Sequence, residues 1–244
     1  MNIKLKIDTY TIYARLFPSI ITLLPFFSLW FFVRKYNDFL SLEEYILGIK
    51  ILGTLTISFI VLYFNSLIIR HISKFFEKKY FLQSKGFPTT YFITFKDEEF
   101  SEDFKERYRL KVKQQFNINL LTRDEEIDSP AESKKRINEA TKQIILLLKD
   151  GYLVKSHNIW YGFSRNMIGG CIIACVISLI SIFIGFFISI NLIIISIILF
   201  LIYLTIFLFR KSILIYSAEA YAKQLISEFM QTDIKKPKRK VKSN

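Results

Sequence analysis

Histidine and cysteine are almost missing from this sequence, with two of each: His71, His157, Cys171 and Cys175. The cysteines sit at i, i+4 inside an apolar run with neither histidine near in sequence. A zinc site takes about four ligands, so both read as small packing residues, no metal is assigned, and nothing requires an oxidising compartment. Also missing are the phosphate-cradling Gly-x-x-x-x-Gly-Lys, the Gly-x-Gly-x-x-Gly fingerprint, His-Glu-x-x-His and Gly-x-Ser-x-Gly. These absences remove the usual catalytic constellations. No catalytic residue or cofactor is assigned, and the chain reads as non-enzymatic. The acidic clusters Asp97-Glu98-Glu99, Glu102-Asp103 and Asp124-Glu125-Glu126 with Asp128 lie at expected helix starts, where the backbone dipole favours negative charge.

Charge is absent from one long stretch. Asn166 to Phe209 is 44 residues without a charged side chain, closed by Arg165 and by Arg210-Lys211. As one helix it would reach roughly 66 Å, about twice a bilayer's hydrocarbon core. Two spans, about 167–188 and 192–209, with a turn at Ser189-Ile190-Asn191, solve the mismatch. Two further uncharged runs, Phe17–Val33 and Ile51–Ile69, read as spans one and two. The resulting class is an all-α integral membrane protein with four transmembrane helices, two and two, bracketing a small, mainly helical cytoplasmic segment. Its parts are an N-terminal hairpin (1–70), the central segment (71–164), a C-terminal hairpin (165–210) and a helix with a polybasic tail (211–244). The lead-in Met1-Asn2-Ile3-Lys4-Leu5-Lys6 has no cleavable signal pattern after it.

Pro25 removes a backbone donor in the middle of span one and should kink it. Asp8 reads as the cap of a short interfacial helix carrying Tyr10, Tyr13 and Arg15. Ser41-Leu42-Glu43-Glu44 has capping-box spacing ahead of span two, and that helix should continue to about Tyr80, stopping near Gly86 and Pro88. In the central segment Tyr91–Phe95 suggests a brief strand. Ser101 should cap a helix over 102–116 with Phe104, Tyr108, Val112 and Phe116 on its apolar face and Lys105, Arg109 and Lys113 along a solvated one. Ser129-Pro130-Ala131-Glu132 should start a helix to about Asp150 that buries Ile137, Ala140, Ile144 and Leu147/Leu148. The core of this segment is expected to be completed by the extension of span two. Past Phe209, Leu214, Ala218, Tyr221, Leu225 and Phe229 keep helical spacing.

The net charge of +13 is concentrated on one side of this layout. With the termini inside, inner segments hold 31 of the 34 Lys and Arg, and the outer loop 34–50 holds three. The positive-inside bias therefore makes both termini and the central segment cytoplasmic, in an inner (plasma) membrane. The central segment carries 17 basic and 14 acidic residues, too balanced for a nucleic-acid surface. The KKPKRKVK tail (235–242) would attract anionic lipid. No Asp, Glu, Lys, Arg or His lies within the spans, which argues against ion-coupled transport.

Several residues are candidates for specific roles. Gly170, Ala174, Ser178, Ser181 and Gly185 put small side chains on one face of span three, suited to close helix packing within the chain or to a homo-oligomer seam. Pro25, Asn65 and Ser66 are candidates for a path or hinge. Lys105, Arg109 and Lys113 would contact an anion, or a signal such as a nucleotide or cytosolic partner. Trp160, Tyr161 and Arg165 form an interfacial collar.

GFPTT (86–90) and NIWYGFSRN (158–166) resemble segments of uncharacterised bacterial four-transmembrane proteins. The layout is similar to the membrane effectors of anti-phage defence systems. The resemblance implies an oligomeric membrane effector or sensor that perturbs the membrane when its cytoplasmic segment is triggered. A membrane-anchored scaffold that recruits a cytosolic partner, and a small channel or transporter, are the alternatives.

Overall fold

The computed structural model describes residues 8–36, 50–83 and 85–233; the basic lead-in, the Ser41–Glu44 capping box and the polybasic tail lie outside them. The described residues form helices and turns, with no strand among them. The first helix, α1 (Thr9–Thr22), joins the short helix expected after Asp8 to the start of the apolar run at Phe17 and contains a π-turn over Ile12–Leu16. Asp8 holds the cap position with extended backbone, and its side chain does not make the capping hydrogen bond. After Leu23 comes α2 (Leu24–Tyr36), bent by 40° from α1. The break falls where Pro25 withdraws its donor.

The next helix, α3 (Lys50–Leu82), is continuous past the end of the apolar run. A short α4 (Pro88–Tyr91) follows, so the expected strand at Tyr91–Phe95 is instead a helix end and a run of turns. The proline at the first helical position of α4 favours that outcome. Next come α5 (Glu102–Phe116), capped by Ser101, α6 (Arg123–Asp128) and α7 (Pro130–Leu147). Ser129 precedes α7 without using its side chain as a cap. The Thr-x-x-Glu spacing works one helix earlier, where Glu125 accepts from the Thr122 N–H at 2.9 Å. Then α8 (Tyr152–Ile188), α9 (Ile190–Leu208) and α10 (Arg210–Gln231) are the last described helices, with Ser189 alone between α8 and α9. Its hydroxyl accepts from the Asn191 N–H at 3.3 Å.

The chain forms two units: the described residues of 1–80 with 158–217, and of 81–157 with 218–233. The helices α3, α8 and α10 supply residues to both.

In the first unit α8 is the packing centre. A Cβ on Gly162 would strike Tyr10 and Ala14, and one on Gly170 would strike Thr22. Contacts thus advance along α1 and α8 together, and the two helices run parallel. Gly169 faces Ser73 and Ile69 of α3, while Arg165, earlier on α8, pairs with the later Glu77. That pair of helices is antiparallel. Gly185 lies against Ile193 across the Ser189 turn. Met167, Cys171, Ala174 and Tyr203 form a buried apolar cluster in this unit.

Among the described residues three helices are long and apolar enough to cross a membrane, or four if the bent α1–α2 pair counts as one. The most apolar 18-residue window of α9 is only 17% buried. Phe183, Phe186 and Phe187 on α8, and Leu201 and Ile202 on α9, point outward.

The second unit packs α5, α7 and the end of α10 together. Tyr108 and Phe116 of α5 meet Phe229 of α10 at ring-centroid distances of 5.5 and 5.9 Å. The core here is closed by α10, with Tyr221, Leu225 and Phe229 buried, rather than by the extension of span two alone. Only the end of α3 contributes, through Phe81 against Phe87. The α7 face is as expected, with Ile137, Ala140, Ile144 and Leu148 buried and Leu147 half-buried.

Candidate functional site

Glu126 is the centre of the polar architecture in the second unit. It begins on a short acidic helix yet is only 4% exposed. Its carboxylate accepts from the Phe95 N–H at 2.8 Å, the Ser133 hydroxyl at 2.8 Å and the Arg109 guanidinium at 3.1 Å. Arg109 spends its other donors on the Leu121 and Lys105 carbonyls and lies 3.9 Å over the Phe95 ring. Burial pulls the Arg109 pKa down and Glu126 pulls it back. A buried charge persists at this cost only when paired and hydrogen-bonded.

Lys105 was expected on a solvated stripe, and the structure corrects this: the residue is 1% exposed and its ammonium donates to the Asp97 carbonyl. Burial lowers its pKa, opposed by Asp97. Of the three stripe residues only Lys113 faces solvent. The turns at 92–97, where a strand was expected, bring the Phe95 ring to Arg109 and the Asp97 carbonyl to Lys105, and aim the Phe95 N–H at Glu126. Glu102 pairs with Arg123 at 2.7 Å rather than with the stripe.

Two clefts open beside this network. The first, about 260 Å³, is bordered by Lys85, Lys96 and Lys134 with Tyr91, Asp97 and Glu126. Its carboxylates are already engaged, Glu126 as above and Asp97 with the Glu99 N–H at 3.0 Å and Lys85 at 3.8 Å. Lys96 and Lys134 have no carboxylate at ion-pair distance among the described residues. Tyr91 donates to Glu219 at 2.7 Å, and burial together with that bond raises its pKa, holding the phenol neutral. A neutral aromatic wall beside uncompensated ammonium groups suits a phosphate-bearing ligand with a flat apolar part. The second cleft, about 360 Å³ and more open, gathers Phe95, Arg109, Lys113, Thr122 and Arg123.

The remaining sequence candidates lie in the first unit. Gly170, Ala174, Ser178, Ser181 and Gly185 are all buried inside the chain. Asn65 donates to the Ser19 carbonyl at 3.1 Å and the Ser19 hydroxyl at 2.9 Å, an interhelical link. Ser66 bonds only back to Tyr63, at 2.7 Å. Pro25 is buried just after the bend. The collar splits: Trp160 is 54% exposed and stacked on Phe163, while Tyr161 and Arg165 both donate to Glu77.

Sequence reasoning missed Glu126, Lys96 and Lys134. Glu126 carried a faint signal, since it follows a Thr-x-x-Glu start by one residue. The lysines carried none, because turns and the α7 start bring them together. The chain matches no protein-family model, no curated protein and no solved structure.

Proposed function

We propose that this chain is a four-span protein of the bacterial inner membrane, with cytoplasmic termini, in which the second unit is cytoplasmic and receives an anionic signal. The reading is that of a non-enzymatic sensor or effector of the anti-phage type, able to oligomerise, whose bundle alters the membrane when triggered. The observation that carries it is the lysine-bordered cleft, whose carboxylates are already committed while Lys96 and Lys134 are not. Two facts support the placement. Large apolar side chains cover the outside of α8 and α9, a surface suited to lipid. The parallel run of α1 and α8 is what two hairpins entering from one side require.

The test uses the full chain in lipid nanodiscs with a cyclic dinucleotide as probe. Binding that Lys96→Gln with Lys134→Gln weakens, together with depolarisation on triggered expression, supports the reading. Absence of both overturns it. A periplasmic reporter fused after Lys240 stays silent if the orientation holds; activity reverses it.

A further inference from the structure

We infer that Arg15, set in the π-turn of α1, holds the phosphate of an anionic phospholipid at the end of the helix bundle. The inference rests on the membrane placement proposed above but not on the lysine-bordered cleft. Arg15 is half-buried, and among the described residues no carboxylate lies within ion-pair distance of it. Its Nε is buried without an acceptor, as is the Nε of Arg165. Two guanidinium groups thus converge on Tyr10. Arg15 sits 5.5 Å from the Tyr10 ring centroid, and Tyr10 lies within electrostatic reach of Arg165. The Glu77 carboxylate is taken by Arg165 at 3.1 Å and by Tyr161.

The backbone here is built for the purpose. A π-turn widens the helix, and such turns recur at functional sites. It is pinned by Asn166, whose side chain donates to the Ala14 carbonyl while its own Oδ1 has no donor among the described residues. Gly162 lets Tyr10 lie against α8, where a Cβ would come within 2.7 Å of the phenol oxygen. Arg165 opens the uncharged run and Trp160 stands exposed one turn before it, so the group lies where headgroups would be. A guanidinium fork suits a phosphodiester better than an ammonium does. A soluble anion would face a site whose Arg165 and Glu77 side chains are only 12% and 13% exposed.

The experiment uses the whole chain, extracted in mild detergent and examined by native mass spectrometry after exposure to phosphatidylglycerol or phosphatidylcholine. The expected result is retained phosphatidylglycerol, reduced about fivefold or more in Arg15→Gln, the share of one interfacial arginine, and unchanged in Lys211→Gln. Equal retention of phosphatidylcholine, or equal loss in both variants, overturns the inference. So does an Arg15-dependent rise in melting temperature with inorganic phosphate alone, which would assign the site to a free anion. If Arg15→Gln fails to fold, photo-crosslinking of phosphatidylglycerol to the wild-type chain decides. Adducts on 8–22 support the site, and adducts confined elsewhere overturn it. A chain that never enters membranes refutes the placement instead.

Discussion

The hydroxyl of Tyr203 in α9 donates to the carbonyl of Ile21 in α1, the acceptor that Pro25 leaves without its usual i+4 donor. The proline that bends the first apolar helix is thus tied to a partner helix at the point it disturbs. In an apolar surrounding an unpaired carbonyl costs about 1–3 kcal/mol. Tyr203→Phe is expected to destabilise the chain by that amount. In a Pro25→Ala background residue 25 regains its N–H and can serve Ile21, so the same substitution should cost much less. A double-mutant cycle by thermal unfolding in detergent checks this, and additive effects would show that the two residues act independently.

The Arg109–Glu126 pair makes a second prediction. The side chains are 10% and 5% exposed, and removing one partner of a buried pair leaves the other uncompensated, at about 3–5 kcal/mol. Glu126→Gln, or Arg109→Met, should lower the denaturant midpoint accordingly. The double variant should cost less than the sum, because neither charge is then stranded. Retained stability in either single variant would mean that water reaches the pair.

How much of this was readable beforehand depended on the kind of signal. Asn166–Phe209 disclosed its hairpin because length and lack of charge leave one solution, and Ser189 is where the helix breaks. The apolar faces of α5, α7 and α10 were legible from their period, since Tyr108, Ile144 and Leu225 repeat in step with the helix. Lys105 was not. It stands at the same spacing as solvated Lys113 and differs only in that the turn at Asp97 covers it. Helix through Arg15 was readable from Asp8 and the spacing of Tyr10 and Tyr13, whereas its π-turn and its continuity with the apolar run were not. The Pro25 kink was predictable, whereas the Tyr203 hydrogen bond that answers it links residues 182 apart in sequence.

Alkaline stability follows from Tyr108, which is fully buried against Phe229. Burial raises its pKa above the ordinary value of about 10. The unfolded chain then gives up this proton before the folded one does. The stabilisation is complete below about pH 10 and is lost as pH rises through the higher folded value. Lys105 acts in the opposite sense: its folded value lies below 10.5, so in that interval the unfolded chain binds more protons and stability rises. Tyr108→Phe should remove the tyrosine share of the alkaline decline and leave the lysine share. Far-UV circular dichroism from about pH 9 to pH 12, with phenolate absorbance alongside, measures it. An unchanged profile would mean that Tyr108 ionises in place.

The small-residue face of α8 gives the sharpest choice. A seam between copies and packing within one chain make opposite demands on Gly170. Here a Cβ at Gly170 would collide with Thr22, and Gly185 already meets Ile193, so the face is used inside the chain. Gly170→Val should therefore destabilise the single chain by about 1–3 kcal/mol through overpacking and leave the number of chains per particle unchanged. Thr22→Ala should recover part of the loss, since it removes the atoms the new side chain strikes. Melting temperature and native mass, followed together in one detergent, separate the cases. A change in particle size at constant stability would move the face to the outside of the bundle and make it the seam between copies.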